Sequence, residues 1–77
     1  NTYKFSARLE VDYINETYKL NLPKSENYET LGGLIVNATE EIPHENDDVQ
    51  IENFRFTIEE VSSTKIDVVL LKILTTD

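Results

Sequence analysis

The chain contains no cysteine, no methionine and no tryptophan, and only two glycines and two prolines in 77 residues. A domain this small buries a modest share of its surface and commonly leans on a disulfide, a metal or a neighbouring domain. Without cysteine the first support is closed, so a neighbour is the expected one. A chain that opens on Asn1 and has no methionine reads as a single domain, residues 1–77, excised from a longer protein. Positive charge is also scarce: seven basic residues against fifteen acidic give a net charge of −8. Such a field repels phosphate backbones and anionic headgroups, which excludes nucleic acid as an expected partner and disfavours phosphate-bearing cofactors. No apolar run approaches the roughly 18 residues of a membrane span, and no charged-then-apolar leader is present. The domain is therefore expected to be soluble, with no direct membrane insertion of its own.

What is present is a clean sequence of periodicities. Tyr3, Phe5, Ala7 and Leu9 alternate with Lys4, Ser6, Arg8 and Glu10, the pattern of a half-buried strand. The period then turns helical, with Val11, Ile14 and Tyr18 on one face and Asp12 and Glu16 near the start, where carboxylates suit the helix dipole. Lys24 to Asn27 has the composition of a loop. A second helix is predicted from Thr30, whose hydroxyl suits an N-cap, through Leu31, Leu34, Ile35, Ala38 and Ile42 to Pro43. Val49 and Ile51, then Phe54, Phe56 and Ile58, form two strands around an Glu52-Asn53 turn in which Asn tolerates positive φ. After a polar turn at Ser62-Ser63-Thr64, a last strand runs from Ile66 to about Leu74. The order β-α-α-β-β-β predicts an α+β fold, an antiparallel sheet with two helices packed on one face.

The last strand is apolar on both parities, so one row is expected to face away from the helices. With Ile66, Val68 and Leu70 assigned to the core, Val69, Leu71 and Ile73 become the expected interface, for a homodimer or a neighbouring domain.

Reactive chemistry is thin. His44 is the single histidine and lies on an acidic turn with no nucleophile in sequence reach, the profile of a surface residue rather than a base or metal ligand. Glu45, Asp47 and Asp48 are the candidate ligands for a hard cation, although the acidic run from Glu40 lacks the register of a calcium loop. Gly32 and Gly33 fall in the first turn of the second helix, where exposed amides can meet a phosphate. Close backbone approach to the sheet or first helix is the alternative reason for two glycines there, since each costs about 1 kcal/mol in a helix. The sequons at Asn15 and Asn37 fall in helical patterns and imply no secretion. No nucleophile elbow, Ser-x-x-Lys pair or phosphate loop occurs, so no catalytic residue is assigned and an enzyme is not expected.

The run from Arg8-Leu9 through Leu22-Pro23, Tyr28-Glu29-Thr30-Leu31-Gly32-Gly33-Leu34-Ile35 and Ile42-Pro43, with Asp47 and Val49 after it and Phe56, Ile58, Val61, Ile66 and Val68 beyond, resembles the transporter-associated domain of the CorC/HlyC family. The resemblance implies an α+β fold similar to half of a flavin-binding domain, with no cofactor and no catalytic residues to carry over. It also implies a regulatory domain at the end of a membrane-associated, hemolysin-like protein, after a CBS-domain pair, on the cytoplasmic side of the cell membrane, modulating magnesium or cobalt efflux. The alternatives are a flavin- or adenine-nucleotide-binding module and a divalent-cation sensor on the acidic turn. Two departures from the family pattern stand out. Asn46-Asp47 replaces its Gly-Asp after Ile-Pro, which keeps a positive-φ residue in the turn. Asp67, Val69 and Leu71 occupy places along the last strand where the family often has arginine, which implies a less basic and more apolar face there.

Overall fold

In the computed structural model, which describes residues 2–74, alternation in the first segment becomes β1, Thr2–Ser6. Helix α1 spans Val11–Tyr18 and α2 spans Leu31–Thr39. Three further strands follow: β2 Asp48–Ile51, β3 Phe54–Val61 and β4 Ile66–Ile73. All four strands join one antiparallel sheet in the order β1-β4-β3-β2. The shortest dimension of the molecule, 19 Å, is that of one sheet and one helical layer. This is the expected α+β architecture.

A single core lies between the layers. The sheet contributes Phe5, Phe54, Phe56, Ile58, Ile66, Val69 and Leu71; α1 contributes Val11 and Ile14, and α2 contributes Leu31, Leu34 and Ile35. Burying side chains of this size stabilises by about 1.5–3 kcal/mol each before entropy is counted. With so few residues, nearly every large aliphatic and phenylalanine side chain is drawn inside; the exposed large apolar groups are Tyr13 and Tyr18.

Two boundaries and one turn differ from the sequence expectation, and the first is that β1 ends at Ser6 although the alternation runs on to Leu9. Helix α2 stops at Thr39 and not at Ile42, because Glu40 turns left-handed with φ of 64° and its N–H closes on the Val36 carbonyl. Thr39 Oγ1 donates toward the Glu41 and Ile35 carbonyls at the same end. Ile42 still packs against the core, now from a loop. In the β2–β3 turn the positive φ belongs to Glu52, at 55°, and not to Asn53. Asn46 has φ of 71°, as expected for the residue standing in the family's glycine position.

The phase of β4 also differs. Ile58 pairs with Val69, Glu60 with Val68 and Val61 with Ile66, so Glu59 and Asp67 are each left without a partner. These bulges flip the alternation partway along both strands. Ile66 faces the core, and then so do Val69 and Leu71, each with no exposed surface. Assignment of Val69, Leu71 and Ile73 to an open face is thereby corrected: Val69 and Leu71 are core, and Ile73 is half-buried against it. Val68, Leu70 and Lys72 take the outer face instead.

Candidate functional site

The segment leaving β1 and the segment entering α2 are stitched together by backbone. Leu31 N donates to Leu9 O at 2.9 Å, Gly32 N to Ala7 O at 2.9 Å, and Val11 N to Glu29 O at 2.8 Å. Thr30 Oγ1 caps the helix by accepting from Gly33 N at 3.2 Å, and Leu34 N donates to Thr30 O. Every first-turn amide of α2 is therefore engaged inside the chain. A Cβ on Gly32 would stand 3.2 Å from Ala7 Cβ, and one on Gly33 would stand 3.0 Å from Tyr28 Cβ. Close approach explains both glycines, and neither offers a free amide to a phosphate.

The acidic turn does not gather its carboxylates. Asp47 Oδ2 accepts from the His44 backbone N–H at 2.9 Å, bracing the turn, while Asp48 Oδ1 accepts from Thr57 Oγ1 at 2.7 Å on the sheet. Each acid is thus turned to a separate local partner, and Glu45 is exposed. His44 lies 3.8 Å from Asp47 with its side chain 94% exposed. Among the described residues no group of three or more His, Asp or Glu side chains is arranged to hold a metal.

The outer face of the sheet is where structure assembles what the sequence scatters. Strand register puts Lys4, Leu70, Thr57 and Asp48 in one row and Thr2, Lys72, Arg55 and Gln50 in the next. Val68, between Ser6 and Glu60, completes the patch. Lys4, Arg55 and Lys72 are three of the chain's seven basic residues, gathered on one face of a molecule with net charge −8. None of the three has an ion-pair partner among the described residues. Leu70 and Val68, both partly exposed, sit at the centre with no helix over them. Lys4 and Arg55 were already legible as outward-facing from alternation. Lys72 marks the outward parity of the second half of β4, but Asp67, on the other parity, contradicts it in the sequence.

The molecule is thus a four-stranded antiparallel sheet covered by two helices on one side and bare, with mixed polar and apolar residues, on the other. The chain belongs to the transporter associated domain family of the CorC/HlyC type, whose family model matches residues 1–75. No curated protein matches the chain. Among solved structures it is similar to a region from Neisseria meningitidis MC58 named for its association with a Mg2+ and Co2+ transporter, CorC, with a TM-score of 0.86 and 20% identity over 95% of this chain and 89% of that one. A hemolysin domain from Enterococcus faecalis V583 gives a TM-score of 0.83 and 26% identity over 97% of this chain and 90% of its own. The CorC/HlyC domain of a Xylella fastidiosa Temecula1 hemolysin, solved with Mg++ and Mn++, gives 0.79 and 23% over 96% and 89%. These likenesses establish the fold and link the family by name to magnesium and cobalt transport.

Proposed function

We propose that this chain is a non-catalytic regulatory domain of a longer membrane-associated protein that carries CBS domains, and that it modulates divalent-cation efflux from the cytoplasmic side by docking on a neighbouring domain. The observation that carries this reading is the outer sheet face: two aliphatic side chains, Val68 and Leu70, with Lys4, Lys72 and Arg55 grouped at the Leu70 end, Glu60 beside Val68 and Asp48 at the β2 edge, in an otherwise acidic molecule. An apolar centre with a polar rim is the usual anatomy of a docking patch, and arginine is enriched in such patches. Family membership and the transporter-linked name of one structural relative support the context.

The test is Leu70→Asp together with Arg55→Glu in the full-length protein, read as Mg2+ efflux from loaded cells. Altered flux is the expected result, with the 77-residue chain keeping its melting temperature under the same substitutions. Unchanged flux at equal expression removes the docking role. Sedimentation of the 77-residue chain separates the other occupant of this face, a second copy: a dimer abolished by Leu70→Asp assigns the face to self-association.

A further inference from the structure

A cleft of about 410 Å³ opens between the first half of α2 and the β3–β4 turn, on the opposite layer from the outer sheet face. Its walls are Ala7, Val36, Ile42 and Ile66 with the bare backbone of Gly32 and Gly33. Arg8 and Lys65 line it as well, and so do the hydroxyl residues Thr30 and Thr64. No carboxylate does. Two other concavities differ: one is lined by Glu10, Asp12, Glu26 and Glu29 with Lys24, the other by Glu41, Asp47 and Asp48 with His44. Arg8 and Lys65 have no ion-pair partner among the described residues, and no acid occupies the first turn of α2. Neither cation is thus neutralised by an ion pair among the described residues, in a chain whose acids outnumber its bases fifteen to seven.

We infer that this cleft is a binding site for a small amphiphilic anion, an apolar chain or ring ending in a carboxylate. The apolar walls take the body, and Arg8 and Lys65 take the charged end. Charged donors make the stronger hydrogen bonds, which sets a preference for an anion over a neutral analogue of equal length. The Thr30 hydroxyl accepts from Gly33 N–H, so its own proton remains free to donate to the same headgroup. The α2 amides take no part, since all are bonded within the chain. That distinguishes the site from a phosphate-binding helix end and points to a single-charged head on an apolar body. The inference is independent of docking by the outer sheet face.

The experiment is a set of amide-shift titrations of the isotope-labelled 77-residue chain with octanoate, octanol, octylammonium and inorganic phosphate. Octanoate is expected to saturate with Kd of about 1 mM or tighter, roughly tenfold tighter than octanol, and octylammonium to bind more weakly than either. The shifts should centre on Ala7, Gly32, Gly33, Val36 and Ile66. In the double variant Arg8→Gln, Lys65→Gln the advantage of octanoate over octanol should fall to about one, whereas Lys65→Arg should retain it. Both residues are exposed, and spectral dispersion checks that the variants stay folded. Equal affinity for octanoate and octanol, an advantage that survives the double variant, or shifts centred outside the cleft would overturn the site. Phosphate saturating as readily as octanoate would also overturn it, because the apolar walls would then contribute nothing.

Discussion

Gly32 and Ala7 touch backbone to backbone: the Gly32 amide donates to the Ala7 carbonyl at 2.9 Å, and a side chain on Gly32 would meet Ala7 Cβ at 3.2 Å and its oxygen at 3.3 Å. Ala7 cannot easily retreat. Its own N–H is bonded to Asp67 O at 2.9 Å, and its side chain is buried. Gly32→Ala gains about 1 kcal/mol of helix propensity and loses more by forcing this contact apart, for a net destabilisation of about 1 kcal/mol. Gly32→Val should cost about 3 kcal/mol. Urea melts of the two variants check both the sign and the order; a more stable Gly32→Ala would show that the strand end yields.

Asn15 holds the loop after α1 by both ends of its amide. Its Nδ2 donates to the Leu22 carbonyl at 3.0 Å and its Oδ1 accepts from the Leu22 N–H at 2.8 Å. Leu22 is buried, so truncation leaves two backbone groups unpaired in poor contact with water. Asn15→Ala is expected to destabilise by about 2–4 kcal/mol, and Asn15→Asp, which keeps only the acceptor, by less. Hydrogen exchange at the Leu22 amide should quicken in both. If Asn15→Ala matches the parent within 0.5 kcal/mol or so, water has replaced the side chain at no net loss.

Glu40 and Glu52 each occupy left-handed backbone, with φ of 64° and 55°. A β-carbon there costs about 1–2 kcal/mol against glycine's near indifference. Glu40→Gly and Glu52→Gly are each expected to stabilise by about 1 kcal/mol, a rise of roughly 4–8 °C in Tm for a domain of this size. Thermal denaturation decides it, and a fall in Tm for either variant would mean the carboxylate makes a compensating contact.

How much of this was legible in the sequence depends on the element. Wherever one face of a strand is apolar and the other polar, as in Lys4 to Ser6 or Phe54 to Ile58, side-chain direction followed from alternation alone. The Thr30 cap and the Gly32 contact with the strand end were readable because hydroxyl and glycine chemistry are local, whereas Gly33 packs on Tyr28 in the segment before α2 and not on the sheet or first helix. Strand β4 was not readable in the same way. Apolar residues on both parities remove the signal, and the charges at its two ends, Asp67 and Lys72, have opposite parity. Only the paired bulges at Glu59 and Asp67 reconcile the two, and bulges leave no mark in composition. Gathering Lys4, Arg55 and Lys72 into one patch likewise required the strand order β1-β4-β3-β2, a non-local fact.

The inverted phase of β4 yields its own prediction. Leu71 has no exposed surface and Leu70, its neighbour, is partly exposed on the outer face. Leu71→Ala should cost about 2–5 kcal/mol through the cavity it leaves, while Leu70→Ala should cost under about 1 kcal/mol. Chemical denaturation of the two alanine variants side by side provides the check. Comparable losses would mean that both faces of β4 are packed within the chain, and the outer face would cease to be a docking surface.

Tyr28 ties the pH dependence to the same loop. Its phenol is held above the ordinary tyrosine range, first by burial and second by the Glu52 carboxylate, and its hydroxyl donates to the Pro23 carbonyl at 2.8 Å. All three features favour the neutral form: burial penalises the charge, Glu52 repels it, and ionisation removes the donated proton. Because the folded pKa is raised, the folded chain binds this proton more tightly than the unfolded one does. The contribution of Tyr28 is complete below the ordinary value of about 10 and is lost as pH climbs through the higher folded value. Stability at neutral pH should therefore be indifferent to this group's titration. The measurement is the difference in unfolding free energy between the parent and Tyr28→Phe at pH 8 and again near pH 11, since lysines and the other tyrosines titrate in both and cancel. The parent should be more stable by about 1 kcal/mol at pH 8 through the hydrogen bond to Pro23. That advantage should shrink or reverse at the higher pH. A difference constant across the range would mean that Tyr28 ionises in the folded chain as it does in the unfolded one.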